Sequence, residues 1–453
     1  MMHDHNMITK WFKNNPVITQ IIAGIFDYNG VLRGKRVPVA KLDALLSSGL
    51  KMPLSIQILD IFGEDISGSE MVFASGDKDG TCITTGRLPI RLPHLVEPTA
   101  LLVMYFQLDD KDAAGLVSPH DMLVRRAAHL DSTMAQLRCG VEMEFTLLAP
   151  QEAMPAASLA TGEITQGGQI LSALHLDDYD TLFAEISSFC ASQSIEIETI
   201  TSEAAIGQFE VTFAPKSQVT TLAEDILVFK YMIKALAKSH GLKASFMAKP
   251  LEGQPGNGMH VHVSALDEQT ETNLFDETIH GPKGEANLGF AIGGLLLSMK
   301  EASLIVAPMM NSYRRLVASS HAPINICWGH DNRTAAIRVP ASSAAARRLE
   351  LRVAGADANP YLLLAWMVHA ISQGLTDEIS PPNPVVGNAY EHAYDRLADG
   401  MGTALAFAQQ SEALAEAVGD GLWALYLATK RQEYERFSAH IPPLEFKTLS
   451  EQL

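Results

Sequence analysis

In the segment Gly256-Asn257-Gly258-Met259-His260-Val261-His262-Val263-Ser264, two glycines bracket an asparagine and two histidines alternate along what reads as a strand. Strand residues two apart point to one face, so His260 and His262 can look into one cleft, and the glycines let a ligand approach the backbone. Glu142 and Glu144 repeat this spacing with carboxylates. Glu203 and Glu210 bracket Gly207, where a turn or bulge would let both carboxylates converge. Downstream run Arg315, Arg333, Arg338, Arg348 and Arg352, with Glu350 between the last two. Carboxylates with a histidine suit hard divalent cations, and arginines suit anions. Together they describe an enzyme that handles a metal-bound polyphosphate.

Each motif also has a plainer reading. Glu142 and Glu144 could be a solvated strand face, Glu203 and Glu210 an exposed turn, and His260 a hydrogen-bonded core histidine. Glu196-Ile197-Glu198 has the same spacing without glycine or histidine company and reads as a solvated face. His3 and His5 share the spacing too, in a terminus expected to be disordered. Company decides: adjacent carboxylates repel unless a cation neutralises them, and Arg348, Glu350 and Arg352 lie at strand spacing on one face. There is no Walker lysine loop and no G-x-G-x-x-G opening a helix, so phosphate would be held by metal-bridged carboxylates and arginines.

The elements that must position these residues can be read coarsely. Of 453 residues, 47% are hydrophobic and 19% charged, the balance of a globular protein with room for two domains. A net charge of −18 argues against nucleic acid or an anionic membrane as partner and suits a soluble surface. Cys82, Cys139, Cys190 and Cys327 form no C-x-x-C pair and read as reduced, cytoplasmic thiols. The first residues lack the blocks of a signal peptide. The longest apolar region, 288–308, is broken by Lys300 and Glu301 and reads as a buried helix, not a membrane span. Strand signals dominate the first hundred residues, at 17–22 before the Asp27-Tyr28-Asn29-Gly30 turn, at 81–85, and at 101–108. Ser118-Pro119 reads as a helix start, which sets a domain boundary there. Beyond it strands and helices mix without βαβ alternation, which predicts an α+β fold. Residues 153–168 and 380–384 read as loops and 403–436 as helical.

Taken in order, the motifs resemble those of the glutamine synthetase superfamily over nearly the whole chain. They are Val141-Glu142-Met143-Glu144-Phe145, Gly207-Gln208-Phe209-Glu210, Phe246-Met247-Ala248-Lys249-Pro250, Gly258 to Ser264, Asn311-Ser312-Tyr313-Arg314-Arg315-Leu316, Asn332 to Pro340, Arg348 to Arg352, and Asn359-Pro360-Tyr361-Leu362. The resemblance implies a β-grasp N-terminal domain over 1–117 and a catalytic domain over 118–453. It implies a homo-oligomer, a dodecamer of two stacked rings, with active sites built between neighbours. It implies that ATP phosphorylates the γ-carboxylate of glutamate and that an amine then displaces phosphate, with two divalent cations, Mg²⁺ or Mn²⁺, screening the repulsion. By position, one metal site resembles Glu144, Glu203 and Glu210, and the other Glu142, His260 and Glu350. Gly256 and Arg315 would hold glutamate. Arg333, Arg338 and Arg352 would grip glutamate or the phosphates, Arg348 would lie near ATP, and Ser264 falls where the family contacts nucleotide.

One departure matters. Ammonia-using members carry a glutamate in a Gly-Tyr-Glu-Ala-Pro flap, whereas this chain reads Ala318-Ser319-Ser320-His321-Ala322-Pro323. A histidine can act as a base but supplies no fixed negative charge. Asn325 to Arg333 and Asp27 to Arg36 resemble the γ-glutamylpolyamine synthetase branch; the family's ammonium-binding aspartate has no clear counterpart, and Asp60 is the residue that comes nearest to it. Asn388-Ala389-Tyr390-Glu391 only faintly echoes the family's adenylylation segment. The reading is a ligase joining glutamate to an amine larger than ammonia, a diamine or polyamine first, with Trp328 either lining the amine's stem or packing in the core. Its rivals are ordinary glutamine synthetase and a catalytically silent ring-forming homologue.

Overall fold

Apolar residues at alternate positions build a first sheet from β1 (Gln20–Phe26), β2 (Leu32–Pro38), β3 (Leu50–Pro53), β4 (Asp79–Thr84), β5 (Ile90–Arg91) and β6 (Thr99–Gln107). Its order is β2-β1-β6-β4-β3, with β5 paired to β6. The β1 and β6 strands run parallel, and the other pairs are antiparallel. A computed structural model describes residues 2–69, 72, 76–108, 118–131, 135–151, 153–165, 167 and 169–453. The expected boundary after residue 117 abuts residues 109–117, which lie outside the described residues.

Ile21, Ala23 and Ile25 of β1, with Leu102, Met104 and Phe106 of β6, pack against Ile8 and Phe12 of the helix Met2–Asn14 and against Leu42 and Leu45 of the helix Leu42–Ser48. The N-terminus is therefore a packed helix, contrary to the disorder expected around His3 and His5. Ile8 and Phe12, four apart, supply the apolar stripe that pins it. Phe26, Leu101 and Val103 face the other way and join the core of the second sheet.

That sheet contains β7 (Ala135–Leu148), β8 (Ile197–Ser202), β9 (Gln208–Lys216), β10 (Lys243–Ser245), β11 (Met259–Asp267), β12 (Trp328–His330), β13 (Ile337–Val339) and β14 (Leu349–Leu351). The order is β12-β13-β14-β11-β7-β9-β8, with β10 paired to β7. In β7, Val141, Met143, Phe145 and Leu147 are buried toward the helices Pro119–Asp131 and Val219–Ser239. Glu142 and Glu144 therefore lie on the opposite face. Burying each such apolar side chain contributes roughly 1.5–3 kcal/mol. A one-residue slip would expose the whole apolar row and bury both carboxylates, so the core fixes the position of the acidic row.

Ser118 caps the predicted helix, its Oγ accepting from Asp121 N at 3.1 Å. Region 288–308 falls in the buried helix Pro282–Ser298 and the short helix Ser303–Val306. Region 403–436 is three helices, Met401–Gln409, Glu412–Val418 and Asp420–Ala439, divided by the Ser411 cap and by Gly419 at φ +99°. Among the described residues no helix is long and apolar enough to cross a membrane. Trp328 packs in the core, with Nε1 donating to Pro382 O at 2.6 Å.

The last of these helices closes onto the first sheet. Lys430 and Glu433 form a buried ion pair at 2.9 Å. Lys430 Nζ donates to Asn29 Oδ1 at 2.6 Å, and Glu433 Oε1 accepts from Asn29 Nδ2 at 3.1 Å and Ile61 N at 2.8 Å. Gln432 Nε2 donates to Asp60 Oδ2 at 2.8 Å, while Asp60 Oδ1 accepts from Phe62 N and Glu64 N. Asp60 is thus buried and saturated by its own loop and this helix. No contact among the described residues joins it to the carboxylate cluster of its own protomer.

Candidate active site

Strand register assembles the site. Glu142 of β7 stands opposite His260 of β11, and His262 stands opposite Glu350 of β14. Glu144 stands opposite Glu210 of β9, and Glu350 opposite Arg338 of β13. Cross-strand neighbours sit within about 5.5 Å, so residues scattered over two hundred positions become one polar surface. Two groups have ligand atoms all within 4.8 Å of one another: Glu142, His260 and Glu350, and Glu144, Glu210 and His260. The first is the expected triad. In the second, His260 takes the place expected of Glu203, which lies just past β8 and joins neither group.

Glu142 is held by both histidines, His262 Nε2 at 2.9 Å from Oε1 and His260 Nδ1 at 3.1 Å from Oε2. Arg348 Nε donates to His262 Nδ1 at 3.2 Å, so Nε2 of that ring carries the proton given to Glu142. Burial alone would raise the Glu142 pKa, but the two histidines outweigh it and hold the carboxyl well below the usual range. His260 Nδ1 also lies 3.8 Å from Glu350 Oε1, so a proton or a cation can occupy the centre of that triad. Glu350 is fully buried, bonded to Arg338 Nη1 at 2.9 Å and to Arg352 Nη1. Burial works against its charge, but Arg352, His260 and His262 prevail and keep its pKa low.

The other carboxylates lack such partners. Glu210 is pushed up to about 9 by burial first, then by Glu142, Glu144 and Glu203. Glu203 is pushed up to about 7 by burial and then by Glu144. Crowded acids whose pKa values are raised by burial and by one another are groups that a divalent cation would hold ionised. The donor set, carboxylates with one imidazole, fits Mg²⁺ or Mn²⁺.

A buried polar network, not singled out from the sequence, positions Glu144. Its Oε2 accepts from Gly258 N at 2.7 Å and from Gln208 Nε2 at 3.0 Å. Gln208 Nε2 also reaches Gly256 O and Asn257 Oδ1, and Thr146 Oγ1 donates to Asn257 Oδ1 at 3.0 Å. Gly207 at φ +71° makes the turn that returns Gln208 to this point. Gln208 and Asn257 lie inside motifs chosen for their glycines and acids, and their long-range partners leave no local signal.

The arginines divide. Arg315 is buried against Gly256 and Gly258, with Nη1 donating to Val353 O at 2.9 Å. Arg352 is buried with its Nε unpartnered. Arg338 is clasped between Glu350 and Asp331, the latter at 2.6 Å. Arg333 is exposed, as is His321, which has φ +62° and no hydrogen-bond partner among the described residues. Neither is drawn into the cluster. Beside it opens a cleft of about 530 Å³ with Glu142, His262, Ser264, Arg348 and Arg138 on its wall. Ser264 Oγ donates to Arg347 O at 3.1 Å. Glu198, exposed as expected of a solvated face, also borders this cleft, because β8 folds beside β9.

A family model for the glutamine synthetase catalytic domain matches residues 116–449. The chain belongs to the glutamine synthetase family. Within this family it is 30% identical over 448 residues to γ-glutamylputrescine synthetase PuuA of Escherichia coli K12, covering 97% of this chain and 93% of PuuA. It is 30% identical over 424 residues to glutamine synthetase of Pyrococcus horikoshii, covering 91% and 88% of the two chains. Among solved structures, the complex of GmaS with ADP superposes with a TM-score of 0.84 at 25% identity, covering 98% and 99%. Apo GmaS does so with a TM-score of 0.83 at 26% identity, covering 96% and 98%. The mixed α+β architecture of the second sheet is therefore that of the glutamine synthetase catalytic fold.

Proposed function

We propose that this protein is an ATP-dependent ligase that joins the γ-carboxyl of glutamate to an amine larger than ammonia through γ-glutamyl phosphate. The observation that carries this reading is the pair of ligand groups sharing His260, set beside arginines on a register-fixed sheet. Glu142, His260 and Glu350 would hold one cation, and Glu144 and Glu210 with Glu203 close by the other. When bound, divalent cations screen the charge between glutamate and ATP and stabilise the transferring phosphoryl group. Arg315 and Gly256 would seat glutamate. The unpartnered Arg352 Nε is a buried donor suited to an anion, Arg338 and Arg333 would meet the phosphates, and the cleft with Ser264 and Arg348 suits ATP. The likeness to PuuA supports a diamine as nucleophile. The similar identity to a glutamine synthetase keeps ammonia as the second reading. A panel of amines and ammonia, scored by phosphate release with glutamate and ATP, tests the proposal. Release with ammonia alone would favour the second reading, and no release with any nucleophile would refute both.

The same reading takes the first sheet as a β-grasp domain ending near residue 117, the rest as the catalytic domain, and the cytoplasm as the setting, in keeping with four buried free cysteines. It takes the assembly as a dodecamer. The terminal helix Pro443–Gln452 leaves Leu444, Phe446 and Leu449 exposed in the protomer, an apolar surface suited to another subunit. Sedimentation is expected to show a species far above 49.1 kDa, and an active monomer would defeat a shared site. A Cβ at Gly256 would stand 2.2 Å from Ala248 O and 3.0 Å from Arg315 Cγ. Gly256→Ala must therefore push the Ala248 carbonyl aside and crowd Arg315, and KM for glutamate is expected to rise about tenfold with an unchanged circular dichroism spectrum. An unaltered KM would remove Gly256 and Arg315 from the glutamate site.

A further inference from the structure

Residues 385–397 contribute nothing to the carboxylate cluster, yet they are bonded along their length to the segment that follows His321. Ile326 N donates to Asp395 O at 2.8 Å and Leu397 N to Ile324 O at 3.0 Å. Asn325 Nδ2 donates to Ala389 O at 2.6 Å, Ala389 N to Thr334 Oγ1 at 2.9 Å, and Asn332 Nδ2 to Gly387 O at 2.7 Å. Val385 and Ala389 pack on Cys327 and Ala335. This lacing fixes residues 324–335.

The turn just before it is held differently. Ser319 and His321 both have φ +62°, a conformation that costs side-chain-bearing residues energy and persists only where surroundings enforce it. Two side-chain anchors stand on either side of His321. Ser320 Oγ bonds to Arg315 O at 3.0 Å and Val317 O at 2.6 Å. On the far side, Tyr390 Oη donates to Ala322 O at 3.0 Å. Tyr390 is half-buried. Burial raises its pKa against the pull of Arg315 and Arg352, so at neutral pH the hydroxyl keeps the proton that it donates. Arg315, proposed to hold glutamate, and Arg352 are thus close enough to act on the Tyr390 hydroxyl through their charge.

We infer that Tyr390 is a positioning residue whose bond to Ala322 O holds the His321 turn closed on the nucleophile side, so that an amine and not water meets the activated carboxyl. This rests on the ligase reading above. In the productive path the amine nitrogen bonds to the γ-carbon, loses a proton and expels phosphate as the carbon–oxygen bond breaks. Water attacking the same carbon expels the same phosphate but returns glutamate. The ratio of phosphate to amide therefore reports how well the turn is closed.

Tyr390→Phe removes one oxygen and keeps the ring. Amide exchange across residues 317–322 is expected to speed up about fivefold, the scale of one hydrogen bond. Phosphate released in excess of amide is expected to rise by a similar factor, with KM for ATP unchanged. Ser320→Ala should act in the same direction. Unchanged exchange in both variants overturns the inference, whatever nucleophile the enzyme uses. Faster exchange with an unchanged ratio also overturns it, because the bond would then be structural only. A wild type that forms no amide with any amine refutes the ligase reading, while exchange still tests the anchor.

Discussion

Glu142→Ala and Glu210→Ala are each expected to lower phosphate release, with glutamate, ATP and amine present, by about a thousandfold while leaving the fold intact. The two changes act differently. Glu142 is the carboxylate to which His260 and His262 are both bonded, so its loss frees two rings and removes a ligand atom at once. Glu210 has no partner of opposite charge at hydrogen-bond distance among the described residues and is crowded by Glu142, Glu144 and Glu203. Its removal relieves repulsion, so the metal-free variant should melt no lower than wild type. The stabilisation gained on adding Mn²⁺ should shrink in both variants, because a cation that binds only the folded state stabilises it in proportion to its affinity. Thermal melts with and without Mn²⁺ separate lost metal from lost fold. Near-normal turnover in either variant would show the metal assignment to be wrong.

The nucleophile preference is expected to be the next largest effect. A diamine, polyamine or longer alkylamine should exceed ammonia in kcat/KM by at least about tenfold, and His321→Glu should move that ratio toward ammonia by about as much. Ammonium offers only its charge. A carboxylate about 4 Å away would attract it by roughly 1–4 kcal/mol, depending on local screening, which covers a tenfold effect. Among the described residues His321 has no acidic partner to supply such a field, and its exposed position leaves room for a longer amine to find contacts beyond the first nitrogen. Wild-type preference for ammonia would sink the larger-amine reading, and an unchanged ratio in the variant would show that His321 does not discriminate.

Which of these residues could be read from the chain follows from distance along it. The pairs Glu142/Glu144 and His260/His262 were legible because the strand period of two is local. That β7 lies between β11 and β9, so that Glu142 meets His260 and Glu144 meets Glu210, is a long-range pairing that no local pattern encodes. Glu203 comes near enough to the cluster to raise the pKa of Glu210 but joins neither ligand group, and Gly207 encodes the turn and not its reach. Glu198 is exposed as its spacing without glycine or histidine company predicts, whereas the N-terminal helix escapes a local reading because Ile8 and Phe12 have no sheet to cover until β1 and β6 exist. Asp60 is bonded to Gln432 and its own loop within the protomer, contacts that no local pattern encodes.

The bond between Asn29 and Glu433 joins residues 404 positions apart. During synthesis at about 5–20 residues per second, the Asn29 turn waits roughly 20–80 s for the helix that completes it. Until then the loops around Asn29 and Asp60 lack Lys430, Gln432 and Glu433. A nascent chain of this length therefore presents an unfinished surface to chaperones for most of its time on the ribosome. Premature termination anywhere before Asp420 would strand the first sheet without this closure, however well its strands had paired.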